Sequence, residues 1–116
     1  MVMVQRASVS VFAGAICLAG AAEAEVLDTA GIVAALTGRT LVYDGGAVQE
    51  FRASGRTLYD AGQPSWGYWE ARGDEYCSVW PPGGDWECYG VERDGETIVF
   101  VGRAGDRTAG RYADTD

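Results

Sequence analysis

Short clusters of glycine with aspartate, serine or proline recur along this chain at a nearly even spacing. That regularity constrains the fold more than any other feature. The clusters are Asp44-Gly45, Ser54-Gly55, Gly62-Gln63-Pro64, Gly73-Asp74, Pro81-Pro82-Gly83-Gly84, Asp94-Gly95 and Gly105-Asp106. Successive clusters lie about 8–11 residues apart, the spacing of turns in an all-β sandwich or barrel. Several are dipeptides that tolerate positive φ, as two-residue hairpin loops require. Between them lie TLVY, VQEF, TLY, SWGYWEA, YCSVW, WECYGV, ETIVFV and TAGRY, short runs rich in the β-branched and aromatic residues that suit strands. Seven turns join eight strands, and connections this short exclude parallel crossovers. The expectation is an all-β, eight-stranded antiparallel up-and-down meander, either a small barrel or a strongly bent sheet. An even strand count lets the first and last strands meet antiparallel, and closure removes exposed edges. Strands this short, with this many aromatics, predict an interior mostly filled by side chains, with a shallow mouth.

The stretch EYCSVWPPGGDWECYG (75–90) sets the register of the second half. If Pro81 to Gly84 form a four-residue loop, Trp80 faces Asp85, Val79 faces Trp86 and Ser78 faces Glu87. Cys77 then faces Cys88, and Tyr76 faces Tyr89. Directly opposed Cα atoms on adjacent strands are close enough for a disulfide. Taking Gly73-Asp74 and Asp94-Gly95 as two-residue turns pairs Tyr76 with Ala71, Ser78 with Trp69, Val91 with Ile98 and Tyr89 with Phe100. One face thereby gathers Trp69, Ala71, Tyr76, Trp80, Tyr89, Val91, Ile98 and Phe100, and is assigned to the core. The other gathers Tyr68, Cys77, Val79, Trp86, Cys88, Val99 and Val101. It is also apolar, so a helix, a ligand or a partner should cover it. In the first half, Leu41, Tyr43 and Val48 share one face and Val42, Ala47, Phe51 and Leu58 the other, and the pattern does not choose between them.

Ahead of the strands, LDTAGIVAALTGRT reads as a helix of two to three turns. Asp28 or Thr29 caps its start, Leu27, Ile32, Val33 and Leu36 form its apolar side, and Gly38 ends it. Further upstream, one basic residue (Arg6), the apolar run ASVSVFAGAICLAGAA and the small-x-small box Ala22-Glu23-Ala24 have the layout of a secretory signal cleaved after Ala24. The run is shorter than a spanning helix needs and is interrupted by Ser8 and Ser10. The resulting division is a signal at 1–24, an N-terminal segment with the helix at 25–38, a β-meander domain at 39–112 and a tail at 113–116. Cleavage removes Cys17 and leaves Cys77 and Cys88 as the one possible pair, in a compartment where the bond persists. Two thiols in a chain with no His cannot build a usual zinc site.

The formal charge of −8 argues against nucleic acid and against an anionic membrane surface. The basic residues are nine arginines and no lysine, a bias that GC-rich codon usage explains.

Taken together, LTGRTLVYDGG, EFRASGRTLY, GYWEARGDEYCSVWPP and WECYGVERDGETIVFVG resemble an uncharacterised family of small, exported, signal-peptide-bearing proteobacterial proteins of lipocalin-like, β-barrel type. The resemblance spans nearly the whole chain after residue 24, and W-x-x-x-G-D-x-Y-C-S-x-W-P-P (69–82) is its most specific part. It implies an exported β domain and transfers no activity and no site residue.

Without His, Ser-His and Cys-His nucleophile schemes lack their base. Glu70 with Asp74, or Glu75 near Arg72, could form a carboxylate pair, but solvated charges around a hairpin turn account for them better. Arg72-Gly73-Asp74 spells an adhesion tripeptide and reads as a tight hairpin. No phosphate loop, metal-ligand cluster or cofactor motif stands in the sequence, so an enzyme is not expected and no cofactor is assigned. The leading expectation is a periplasmic or secreted non-catalytic module, with no membrane span after signal cleavage. It would bind a small apolar ligand or another envelope protein through Trp66, Tyr68, Trp80 and Trp86, residues equally suited to packing. The alternative is a periplasmic inhibitor of a secreted hydrolase, lysozyme or protease, where the acidic balance would suit a basic target. An enzyme using carboxylates alone ranks third. Ligand binding predicts extra mass or quenched tryptophan fluorescence, inhibition predicts stoichiometric loss of hydrolase activity, and catalysis predicts turnover lost on Glu70→Gln or Glu75→Gln.

Overall fold

The computed structural model describes residues 24–113, so the signal reading at 1–24 and all but the first residue of the 113–116 tail lie outside the described residues. The described residues form a closed eight-stranded antiparallel barrel with one short helix. The barrel strands are β2 (Arg39–Tyr43), β3 (Val48–Phe51), β4 (Arg56–Asp60), β5 (Pro64–Arg72), β6 (Glu75–Val79), β7 (Glu87–Asp94), β8 (Thr97–Val101) and β9 (Arg107–Tyr112). Each pairs with the next, and β9 returns to pair with β2 through Leu41–Tyr112 and Tyr43–Gly110. A two-residue strand, β1 (Glu25–Val26), adds to β7 where β6 has ended. It was too short to read from the sequence.

The register around the cysteines is as expected. Tyr76 faces Tyr89, Cys77 faces Cys88 and Ser78 faces Glu87, and the two sulfurs are bonded. The ladder stops there, however. Residues 80–86 form a longer loop, and the expected pairs Val79–Trp86 and Trp80–Asp85 do not form because β7 begins only at Glu87. Gly73 and Asp74 both have positive φ (59° and 60°), as a two-residue type I′ hairpin requires, and this sets Ala71 opposite Tyr76 and Trp69 opposite Ser78. At the next hairpin the central residues are Gly95 and Glu96, not Asp94 and Gly95, so Val91 faces Phe100 and Arg93 faces Ile98. That shift is two residues, an even number, so every side chain keeps its face. Trp69, Tyr76, Val91, Ile98 and Phe100 are all buried inside, as expected.

The first half resolves differently. Leu41, Gln49, Phe51 and Thr57 are buried, and Tyr43 packs against the same core, whereas Val48 pairs with an exposed Val42 on the outer face. The sequence grouping of Val48 with Leu41, and of Phe51 with Leu58, is therefore corrected. The cause is loop length. Asp44-Gly45 and Ser54-Gly55 look like two-residue turns, but the loops are three residues long. Each has an i to i+3 bond closed by a glycine N–H, Gly46 to the Tyr43 carbonyl and Gly55 to the Arg52 carbonyl. Gly46 and Gly55 take positive φ (99° and 93°), the conformation of a type I turn ending in a bulge. One extra residue reverses which side chains point inward.

The helix, α1 (Thr29–Leu36), plugs one end of the barrel. Asp28 caps it, its carboxylate accepting from Gly31 N–H at 2.8 Å. A second carboxylate reinforces the cap: Asp74, on the tight β5–β6 turn, accepts from both the N–H and the hydroxyl of Thr29 at 2.9 and 3.0 Å. Arg72-Gly73-Asp74 is thus a hairpin whose aspartate is tied to the helix N-terminus, where negative charge is favoured. Ile32, Ala35 and Leu36 face inward, while Val33 is 45% exposed and drops out of the expected apolar side. The helix packs inside the lumen against Leu41, Phe51, Trp69 and Tyr76, so it does not cover the outer apolar face. Two buried aromatic donors at this end are matched: Tyr112 O–H donates to the Ala35 carbonyl at 2.7 Å and Trp69 Nε1–H to the Arg52 carbonyl at 2.9 Å.

Candidate functional site

Inward side chains change character along the barrel. Above the plugged core lies a polar layer. Tyr43 O–H donates to Gln49 Oε1 at 2.6 Å, and Gln49 Nε2 donates to Thr57 Oγ1 at 2.9 Å and to Tyr76 Oη at 3.0 Å. Thr57 in turn donates to the Glu50 carbonyl at 2.6 Å. Gln49 has both its acceptor and its two donors engaged, which is how a 5%-exposed amide avoids the penalty of unpaired burial. This layer is a floor.

Beyond the floor the lumen is not filled. A cavity of about 1130 Å³ opens between the turns that carry Gly45, Gly46, Ala61 and Gly62. The shallow mouth expected from the sequence is therefore too modest. Two glycines explain the space. A Cβ at Gly67 would lie 2.6 Å from Trp80 Cε3, so the Trp80 ring rests flat on the β5 backbone instead of crossing the lumen. A Cβ at Gly110 would lie 3.0 Å from Tyr43 Cδ1, so Tyr43 rests on β9 in the same way. Each ring becomes a wall.

The walls are mainly aromatic, and the lining also includes the carboxylates Glu50 and Asp60. Tyr59 packs edge-on against Trp80 with centroids 6.2 Å apart, and Tyr43 contacts Tyr59 at 6.3 Å and Phe100 at 6.1 Å. Burial pushes the Tyr43 phenol far above its ordinary range, with the neighbouring phenols Tyr76, Tyr59 and Tyr89 adding to the shift. Burial likewise raises Tyr76, partly offset by hydrogen bonds with Ser78 and Gln49. Tyr89 is raised by desolvation first and then by its hydrogen bond to Glu87, which it meets at 3.1 Å. All three remain uncharged hydroxyls at neutral pH. Ser78 and Thr108 add hydroxyls to the lining.

Of the four residues singled out from the sequence, the structure places Trp80 in the cavity wall. Trp66, Tyr68 and Trp86 lie on the outer surface, 39%, 46% and 39% exposed. Arginines cover them: Arg52 and Arg56 sit 4.9 and 4.6 Å from the Trp66 ring, Arg56 sits 5.4 Å from Tyr68, and Arg72 sits 4.8 Å from Trp86. The outer apolar face is thus dressed by the chain's own guanidinium groups. Glu70 pairs with Arg72 and Glu75 with Arg103, each at 3.1 Å, and neither lines the cavity. The residues that sequence reasoning missed are Tyr43, Gln49, Tyr59, Tyr76 and Tyr89. Tyr76 and Tyr89 were already expected on the core face and were read as packing, whereas Tyr43, Gln49 and Tyr59 needed the first-half parity to aim them inward. Comparison with protein families, with curated proteins and with solved structures finds no match in any of the three.

Proposed function

We propose that this protein is an exported, non-catalytic binding module that takes a small, mainly apolar ligand into the open end of its barrel. The observation that carries the reading is the cavity itself: about 1130 Å³, walled by aromatic rings and floored by a fully hydrogen-bonded polar layer. Ligand sites are concave, mostly apolar and furnished with a few placed polar groups, and eight-stranded barrels have room for one small ligand. The Cys77–Cys88 disulfide suits an oxidising compartment, in keeping with a periplasmic or secreted location. Native mass spectrometry of protein recovered from its own envelope tests the reading. The expected result is a non-covalent adduct that disappears in Ala47→Trp, which fills the mouth without touching the plugged core. Bare protein that also fails to quench its tryptophan fluorescence with apolar probes would overturn it.

A further inference from the structure

The cavity's composition specifies the charge of its occupant. The described chain holds eight arginines, and none of them lines the cavity. A carboxylate or phosphate taken into it would have no counter-charge, and an unpaired charge removed from water is costly. The walls offer π systems instead. Trp80, Tyr59, Tyr43, Phe100, Tyr76 and Tyr89 form an unbroken arc of six rings, each touching the next with centroids 5.0–6.3 Å apart. Such faces attract cations, most strongly where water is excluded.

The rim points the same way. The turns and strand ends at the open end carry Asp44, Asp60, Asp85, Glu87 and Asp106, all exposed. The two arginines there are paired, Arg103 with Glu75 at 3.1 Å and Arg107 with Glu92 at 2.6 Å. The plugged end is balanced instead, with Arg39, Arg52, Arg56, Arg72 and Arg93 in or beside its turns together with Asp28, Asp74, Glu75, Asp94 and Glu96. The carboxylate excess therefore lies at the open end, and a cleft ringed by one sign of charge concentrates ions of the other. Neutral phenols and the carboxylates Glu50 and Asp60 in the lining, with further carboxylates around it, leave nothing at the mouth to hold an anion.

We propose that the ligand is a small organic cation: an ammonium, quaternary or bearing apolar substituents, seated against the ring arc with its apolar body in the lumen. This deepens the binding reading above and rests on it. Three hexyl probes of matched tail separate the two claims: hexyltrimethylammonium, 1-hexanol and hexanoate, each titrated calorimetrically into the folded, disulfide-bonded protein. The cation should bind about tenfold tighter than the alcohol, and the carboxylate more weakly than the alcohol. Raising salt from about 20 to about 500 mM should weaken the cation alone. Trp80→Leu should lower the cation's affinity about tenfold, and Asp44→Asn with Asp106→Asn about threefold while flattening its salt dependence. If Trp80→Leu disturbs folding, the exposed aspartates supply the test by themselves. Hexanol or hexanoate binding as tightly as the cation would overturn the charge assignment and leave the binding reading standing. Failure of all three probes would overturn both. Cation binding undiminished in Ala47→Trp would place it on the outer surface and overturn the proposal. So would a basic protein as the sole occupant.

Discussion

The two ends of this barrel are built from the same alternating strands and do opposite things with their inward positions. At the plugged end, Ile32, Leu36, Leu41, Phe51, Val91 and Ile98 are each no more than 1% exposed and the helix fills the lumen. At the other end, the inward positions are Tyr43, Tyr59, Trp80 and Tyr89, all only partly buried around a cavity. Alternation alone decides which residues point inward. Side-chain choice then decides whether the space closes: aliphatic residues interdigitate, whereas rings laid over Gly67 and Gly110 hold their walls apart. One end supplies stability, and the other can afford an opening because of it.

The largest expected effect is therefore at the plugged end. Leu36→Ala should lower unfolding free energy by about 2–5 kcal/mol, read from urea denaturation, because the helix cannot collapse into the space left behind. A polar-to-apolar change at the open end, Thr108→Val, should stay within about 0.5 kcal/mol. Equal losses at the two sites would break the comparison. Opening the Cys77–Cys88 bond, which spans 11 residues, should cost about 3 kcal/mol through the freedom returned to the unfolded chain. Comparing urea midpoints of the oxidised protein with Cys77→Ser/Cys88→Ser measures it.

The boundary between the two ends comes next. Gln49→Leu leaves the hydroxyls of Tyr43, Thr57 and Tyr76 short of a partner and should cost about 1–3 kcal/mol. Smallest at neutral pH is the contribution of the phenols. Below about pH 10 both the folded and the unfolded chain hold these protons, so stability does not vary on their account. Above it the unfolded chain releases them while the native chain, with Tyr43 and Tyr76 raised by burial, keeps them. Stability should then fall with rising pH, by up to about 1.4 kcal/mol per pH unit for each of the two. Urea midpoints measured from about pH 9 to about pH 11.5 should show the decline, and Tyr43→Phe should flatten it.

How far the sequence revealed this molecule follows the same division. The β6–β7 register was legible because two signals coincided: a loop centred on Pro81–Gly84 and the need for the cysteines to meet give the same pairing. The first-half faces were not, because Asp44-Gly45 and Ser54-Gly55 look the same whether the loop holds two residues or three. A single residue of loop length reverses every inward side chain. Closure of β9 onto β2 joins residues some 70 positions apart, as Leu41 and Tyr112 show, and no local pattern encodes that. The cavity was the least legible feature. Tryptophans stand out in a sequence, and three of the four chosen proved to lie outside under arginines or within reach of them. An opening is marked by glycines facing rings, which only the register reveals.

The division of labour between the two ends is tested most directly by mapping backbone amide shifts while hexyltrimethylammonium is added to the folded protein. The account predicts changes confined to residues 43–50, 58–62 and 76–80 and to the surroundings of Tyr89, Phe100 and Thr108, with the helix at Thr29–Leu36 silent. Changes centred on Trp66, Tyr68 and Trp86, or spread through the helix, would contradict it.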